Sequence, residues 1–142
     1  MPAINEDGTL NESDSHFGCD ARGVTGALCP EITLFEGNQQ GFRVTPRTCD
    51  EPSETGFFNK CDASGDVVLD VNDQTDFTYG PGSDFDINSL NTVTYKVDFH
   101  ADGDVLTGYS VTLSQDDKSF TVDKSGDYLT ALSKYLKQGM VI

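Results

Sequence analysis

The run Glu31-Ile32-Thr33-Leu34-Phe35-Glu36 sets two carboxylates five positions apart in an apolar, β-prone stretch. Paired carboxyl groups are the equipment of glycoside hydrolysis. At about 5–5.5 Å apart, one attacks the anomeric carbon while the other acts first as acid and then as base, with retention of configuration. Side chains alternate along a strand, so Glu31 and Thr33 share a face and Glu36 points away in a regular strand. A β-bulge between them returns Glu36 to the same side. A catalytic pair here therefore requires a bulge. Spacing alone favours a plainer reading, two solvated glutamates on a strand, because 24 of 142 residues are acidic and Glu-x-x-x-x-Glu recurs by chance.

The elements that must position this pair follow from periodicity. Pro30 to Val44 reads as a strand, a turn over Gly37-Asn38-Gln39-Gln40-Gly41, and a second extended piece. Residues 46–66 carry prolines, two cysteines and many polar side chains, and read as a stapled loop. Val93, Tyr95, Val97 and Phe99 alternate with polar residues, as do Tyr109, Val111 and Leu113, then Phe120 and Val122. Turns at Ala101–Asp104 and Gln115–Lys118 separate these runs, which predicts an antiparallel meander. Tyr128, Leu129, Leu132, Tyr135 and Leu136 fall on one helical face, with Ser125 or Asp127 to cap its start and Gly139 its end. Met140-Val141-Ile142 then reads as the start of another strand. The fold class expected is mainly β, an antiparallel sandwich or jelly roll with one short helix near the C-terminus.

Composition narrows the ligands. The 142 residues fit one domain, and 24 Asp+Glu against 9 Lys+Arg give a net charge of −15. Such a charge repels nucleic-acid phosphates and anionic membranes and suits a soluble protein with a neutral ligand. Met-Pro-Ala-Ile-Asn-Glu-Asp-Gly has neither the basic region nor the apolar core of a signal peptide. Cys19, Cys29, Cys49 and Cys61 form no Cys-x-x-Cys pair of the kind zinc favours, so two disulfides and an oxidising compartment are expected, in one of three connectivities. A portion missing before Met1 reconciles the cysteines with the start of the chain.

Cys29-Pro30-Glu31-Ile32-Thr33-Leu34-Phe35-Glu36-Gly37-Asn38 resembles the catalytic strand of glycoside hydrolase family seven, the retaining cellobiohydrolases and endoglucanases. That strand reads Cys-x-Glu-x-Asp-x-x-Glu-Ala-Asn. Thr45-Pro46-Arg47-Thr48-Cys49 resembles the family's Thr-Pro-His-x-Cys, Cys61-Asp62-Ala63-Ser64-Gly65 its Cys-Asp-x-x-Gly turn, and Tyr79-Gly80-Pro81-Gly82 its Tyr-Gly-Pro-Gly. Asn91 to Phe99 looks like the long strand before a Gly-rich turn, and Gly139-Met140-Val141 like the start of the next core strand. These landmarks keep the family's order across most of residues 19–142.

The resemblance implies a secreted enzyme acting on β-1,4-glucan as a monomer, without cofactor or metal, of which this chain is an internal or truncated piece of the jelly-roll domain. It implies Glu31 as nucleophile, Glu36 as acid/base, Thr33 as an assisting residue, and Asn38 and Arg47 at the substrate. It also implies the pairings Cys19–Cys29 and Cys49–Cys61. A further family disulfide would need cysteines where Gly23 and Leu28 stand, and both are absent together.

Three departures bear on chemistry. Thr33 replaces the family's middle Asp, so it can donate a hydrogen bond to Glu31 but cannot share charge with it. Arg47 replaces a histidine, and a permanent cation there opposes an acid role for Glu36. The family's Asn-Pro-Tyr-Arg is missing from Val67–Asn72. Two alternatives follow: a β-1,3/1,4-glucanase of the same clan, whose catalytic strand also resembles Glu-Ile-x-Leu-Phe-Glu, and a carbohydrate-binding jelly roll that kept both glutamates without activity. His16 and His100 lack ligand spacing and read as turn or surface residues. Asp62–Asp66 reads as a turn rather than a calcium loop. Tyr79 could stack on a sugar, while alternation assigns Tyr95 and Tyr109 to the core. No P-loop or Ser-His-Asp set is apparent.

Overall fold

The computed structural model describes residues 3–11, 18–24 and 26–137. His16, Gly139 and Met140–Ile142, to which the sequence assigned a surface role, a helix cap and a strand start, lie outside the described residues.

The candidate segment forms β1 (Glu31–Asn38), which turns through Gln39-Gln40 into β2 (Gly41–Arg47). Gly37 is required there, because a Cβ would meet the Gly41 carbonyl oxygen at 2.2 Å and the Phe42 Cβ at 2.4 Å. β2 also pairs with β3 (Leu69–Asp70), giving a three-stranded antiparallel sheet. β4 (Tyr79–Gly80) and β5 (Ile87–Asn88) form a short parallel pair.

The second three-stranded sheet is the expected meander: β6 (Thr94–Asp102), β7 (Val105–Gln115) and β8 (Lys118–Ser125), paired in chain order. Both turns hold two residues, and Asp116 takes φ 53° at the second, a conformation aspartate tolerates better than most side chains. The inward sides of the two sheets supply one core. Phe42, Val44 and Leu69 come from the first, and Tyr109, Val111 and Leu113 from the second, all buried. Tyr95 of β6 meets the rings of Phe35 and Phe42 edge-on, each with centroids 5.9 Å away. The molecule is thus mainly β, a sandwich of antiparallel sheets. Tyr95 and Tyr109 belong to this packing, as alternation indicates. Truncating Leu113, which is fully buried in the central strand, is expected to cost about 2–5 kcal/mol, read as a lowered urea midpoint.

The helical segment near the C-terminus keeps its apolar face but not its continuity. It runs as α1 (Asp127–Thr130) and α2 (Ser133–Lys137), with Leu129, Leu132 and Tyr135 buried. At the break, the Leu106 amide donates to Ser133 Oγ at 2.8 Å, drawing the chain onto β7. Neither Ser125 nor Asp127 caps the start. Gly126 does, at φ 129° and without a side-chain hydrogen bond, a backbone setting in the region glycine favours. Among the described residues, no helix is long and apolar enough to cross a membrane.

Candidate functional site

The pairing of β1 with β2 shifts between Thr33 and Glu36, leaving Leu34 and Phe35 without register partners. This is the bulge that the five-residue spacing demands. It is held from the opposite sheet, where the Tyr95 hydroxyl donates to the Leu34 carbonyl that the bulge leaves without a ladder partner. Phe35 stacks on Phe42 with centroids 4.7 Å apart.

Arg47 lies opposite Glu31 in the register, and its side chain is only 5% exposed. The guanidinium gathers the whole constellation. Nη1 donates to Thr33 Oγ1 at 2.6 Å and to Glu31 Oε1 at 3.2 Å, and Nη2 to Glu36 Oε2 at 3.4 Å. Nε donates to the Ala63 carbonyl at 3.1 Å. Glu31, Thr33 and Glu36 therefore converge on one cation. Thr33 Oγ1 also donates to Glu31 Oε1, and the Ala21 amide donates to Glu31 Oε2 at 3.1 Å. Glu31 is consequently fixed from three directions.

Glu36 has a second cation, Arg22, whose Nη1 donates to Glu36 Oε1 at 2.6 Å. That hydrogen bond, aided by the charges of Arg22 and Arg47 and opposed by partial burial, holds the Glu36 carboxyl below the usual glutamate range. Glu36 thus rests as a carboxylate, able to accept a proton and poorly placed to keep one.

Both disulfides brace this geometry. Cys19–Cys29 closes the loop bearing Ala21 and Arg22. Cys49–Cys61 closes the loop between the end of β2 at Arg47 and the Asp62 turn, and both pairings are those implied by the resemblance. Asp62 makes the expected turn: Oδ1 accepts from the Ser64 and Gly65 amides at 3.1 Å each, and Oδ2 accepts from the Tyr128 hydroxyl at 2.8 Å. α1 is thereby tied to the loop that offers Ala63 to Arg47.

Comparison with protein-family models, curated proteins and solved structures finds no match to this chain. The site stands on its own geometry.

Asn38 sits apart from the arginine cluster. It lies at the hairpin end, where its Oδ1 accepts from the Gln40 amide at 2.8 Å. With Glu36, Arg43, Asp70 and Asn72 it lines a polar groove of about 400 Å³. Across this groove Arg43 Nε donates to Asp70 Oδ2 at 2.6 Å. Tyr79 lies edge-on to Phe42, 5.1 Å between centroids, and its hydroxyl reaches the Asn38 carbonyl at 3.4 Å.

Sequence reasoning missed two features. One is Arg22, whose signal was slight: a cation two residues after a paired cysteine's neighbour, in a loop without periodicity. The other is a polar chain across the second sheet. His100 Nε2 lies 2.6 Å from Ser110 Oγ, which donates to Asp123 Oδ1 at 2.5 Å. Serine occupies the middle of this set and gives its proton to the carboxylate, whereas acyl transfer needs histidine in the middle to take it. The set is a cross-strand brace.

Proposed function

We propose that the protein acts on β-1,4-glucan as a retaining glycoside hydrolase, with Glu31 as nucleophile and Glu36 as acid/base. The observation that carries the reading is the bulge between Thr33 and Glu36, which returns Glu36 to the side of β1 where Glu31 meets Arg47. In this mechanism a Glu31 oxygen attacks the anomeric carbon while Glu36 protonates the departing glycosidic oxygen. Water, deprotonated by Glu36, then releases the sugar and restores Glu31. The three donors around Glu31 suit a nucleophile that must keep one orientation. The lowered proton affinity of Glu36 suits the second, base-catalysed step and places the productive first step on the acid side. The groove beside Glu36 and Asn38 supports a neutral, hydroxyl-rich ligand through its amides and carboxylate. The two disulfides fit an extracellular location.

A second reading, glucan binding without turnover, is favoured by one observation: Arg47 engages both carboxylates at once. The two separate in one experiment. Incubation of the purified chain with carboxymethyl-cellulose and with laminarin is expected to release reducing ends from the first alone. Proton NMR of cello-oligosaccharide cleavage should show the β-anomer first. Binding of cellulose with no new reducing ends at any pH from acid to neutral selects the binding protein, and laminarin cleavage selects the β-1,3/1,4-glucanase.

A further inference from the structure

The loop closed by Cys19–Cys29 touches the candidate site at two points, and each contact ends on a different carboxylate. The Ala21 amide reaches Glu31 and the Arg22 guanidinium reaches Glu36. Within the loop, Asp20 organises both donors. Its carboxylate accepts from the Arg22 amide at 2.7 Å and the Val24 amide at 3.3 Å, and its carbonyl accepts from the Cys29 amide at 3.2 Å. Asp20 also bridges to Leu28, so the ends of the loop are tied by backbone as well as by sulfur. Ala21, Ala27 and Cys29 are buried, which seats the loop against the body while Arg22 reaches outward along β1.

We infer that this loop is a positioning element for the carboxylate pair, with Arg22 setting the charge state of Glu36 and the Cys19–Cys29 bond keeping both donors in place. The inference rests on the hydrolase reading only for its effect on turnover. Its effect on the carboxylates stands without that reading. The charged groups around Glu36 are Arg22 from the loop, Arg47 from β2, which Glu31 of β1 shares, and Arg43, its register partner on β2, itself paired to Asp70. Arg47 holds three other acceptors and cannot turn wholly to Glu36. Arg22 makes the short, direct bond. Removing it leaves Glu36 beside Glu31 with one shared cation, and like charge then favours protonation of the less restrained carboxylate.

The test is a carbon-13 NMR titration of the glutamate side-chain carboxyls in the full chain. Arg22→Gln is expected to move the Glu36 midpoint upward toward the ordinary glutamate range, and Arg22→Lys to keep it near the wild-type position. Replacing Cys19 and Cys29 together by serine should reproduce the upward shift, while the same change at Cys49 and Cys61 should not. If the double replacement fails to fold, the Arg22 pair carries the test alone. An unmoved Glu36 midpoint in Arg22→Gln overturns the inference. Should the protein also turn over glucan, the basic limb of kcat/KM must follow the same upward shift. A shifted midpoint in a protein without turnover defeats the hydrolase reading and leaves the positioning role standing.

Discussion

Arg47→Ala is expected to destabilise the fold by about 3 kcal/mol, the scale for removing one partner of a buried ion pair. The guanidinium is almost wholly out of water and serves two carboxylates, a hydroxyl and a backbone carbonyl. Its loss leaves the Ala63 carbonyl without this donor and Glu31, whose side chain is 22% exposed, without its cation. Most of the cost belongs to these inner contacts. The Glu36 contact is longer and its side chain 37% exposed, so water and salt screen much of that share. The effect is also pH-dependent, with a definite sign. The Glu36 carboxyl is held below its ordinary 4.5 in the folded state, first by the Arg22 hydrogen bond and in smaller part by Arg47, so the Arg47 share contributes fully above that value and is lost as pH falls through the lowered one. The gap between wild type and Arg47→Ala should therefore be widest near neutral pH and narrow on acidification by that smaller share, since Arg22 still holds Glu36 in the variant. Urea denaturation at both ends of that range measures it, with Arg47→Lys intermediate because it keeps charge without the planar fork. A variant as stable as wild type at neutral pH contradicts the central place given to Arg47.

Much of this architecture is legible before any coordinates, for reasons specific to each element. β6, β7 and β8 are long enough for period-2 alternation to repeat several times, and their turns carry aspartate and glycine at tight two-residue links. The bulge is legible differently: a chemical requirement, two carboxylates on one side, conflicts with a five-residue spacing and leaves one geometric remedy. What stays hidden lacks either period or proximity. β3, β4 and β5 have two residues each, too few for any pattern. The helix break at Ala131-Leu132 is imposed from outside, by the Leu106 amide of β7. Arg22 meets Glu36 across fourteen positions, and a loop closed by both a disulfide and backbone pairing brings them together. Ser110 and Asp123 meet as register partners and His100 reaches Ser110 diagonally from two positions along β6, although each reads alone as an ordinary polar residue in a strand.

Glu31→Gln is expected to abolish glucan turnover, by at least about 10⁴-fold in kcat, the scale seen when a covalent nucleophile is removed. The substitution is nearly isosteric, so it separates chemistry from shape. Glu31 accepts from Thr33 and Arg47 on one oxygen and from the Ala21 amide on the other. A glutamine must turn its NH2 toward one of these donors and removes a charge from beside the nearly buried Arg47, which still keeps Glu36, so the change costs about 1–3 kcal/mol of stability. Folding should therefore survive, glucan binding should stay close to wild type, and turnover alone should vanish. Glu31→Ala carries the argument one step further. With an aryl β-cellobioside whose leaving group needs no protonation, added azide can occupy the emptied space and attack the anomeric carbon. The aryl oxide departs, and the product is the α-glycosyl azide, of inverted configuration. Azide-dependent formation of that compound identifies Glu31 as the group that normally bonds to the sugar. Turnover unchanged in Glu31→Gln, in a preparation free of contaminating glucanase, would take the nucleophile's role from Glu31 and leave it as one end of an ion pair with Arg47.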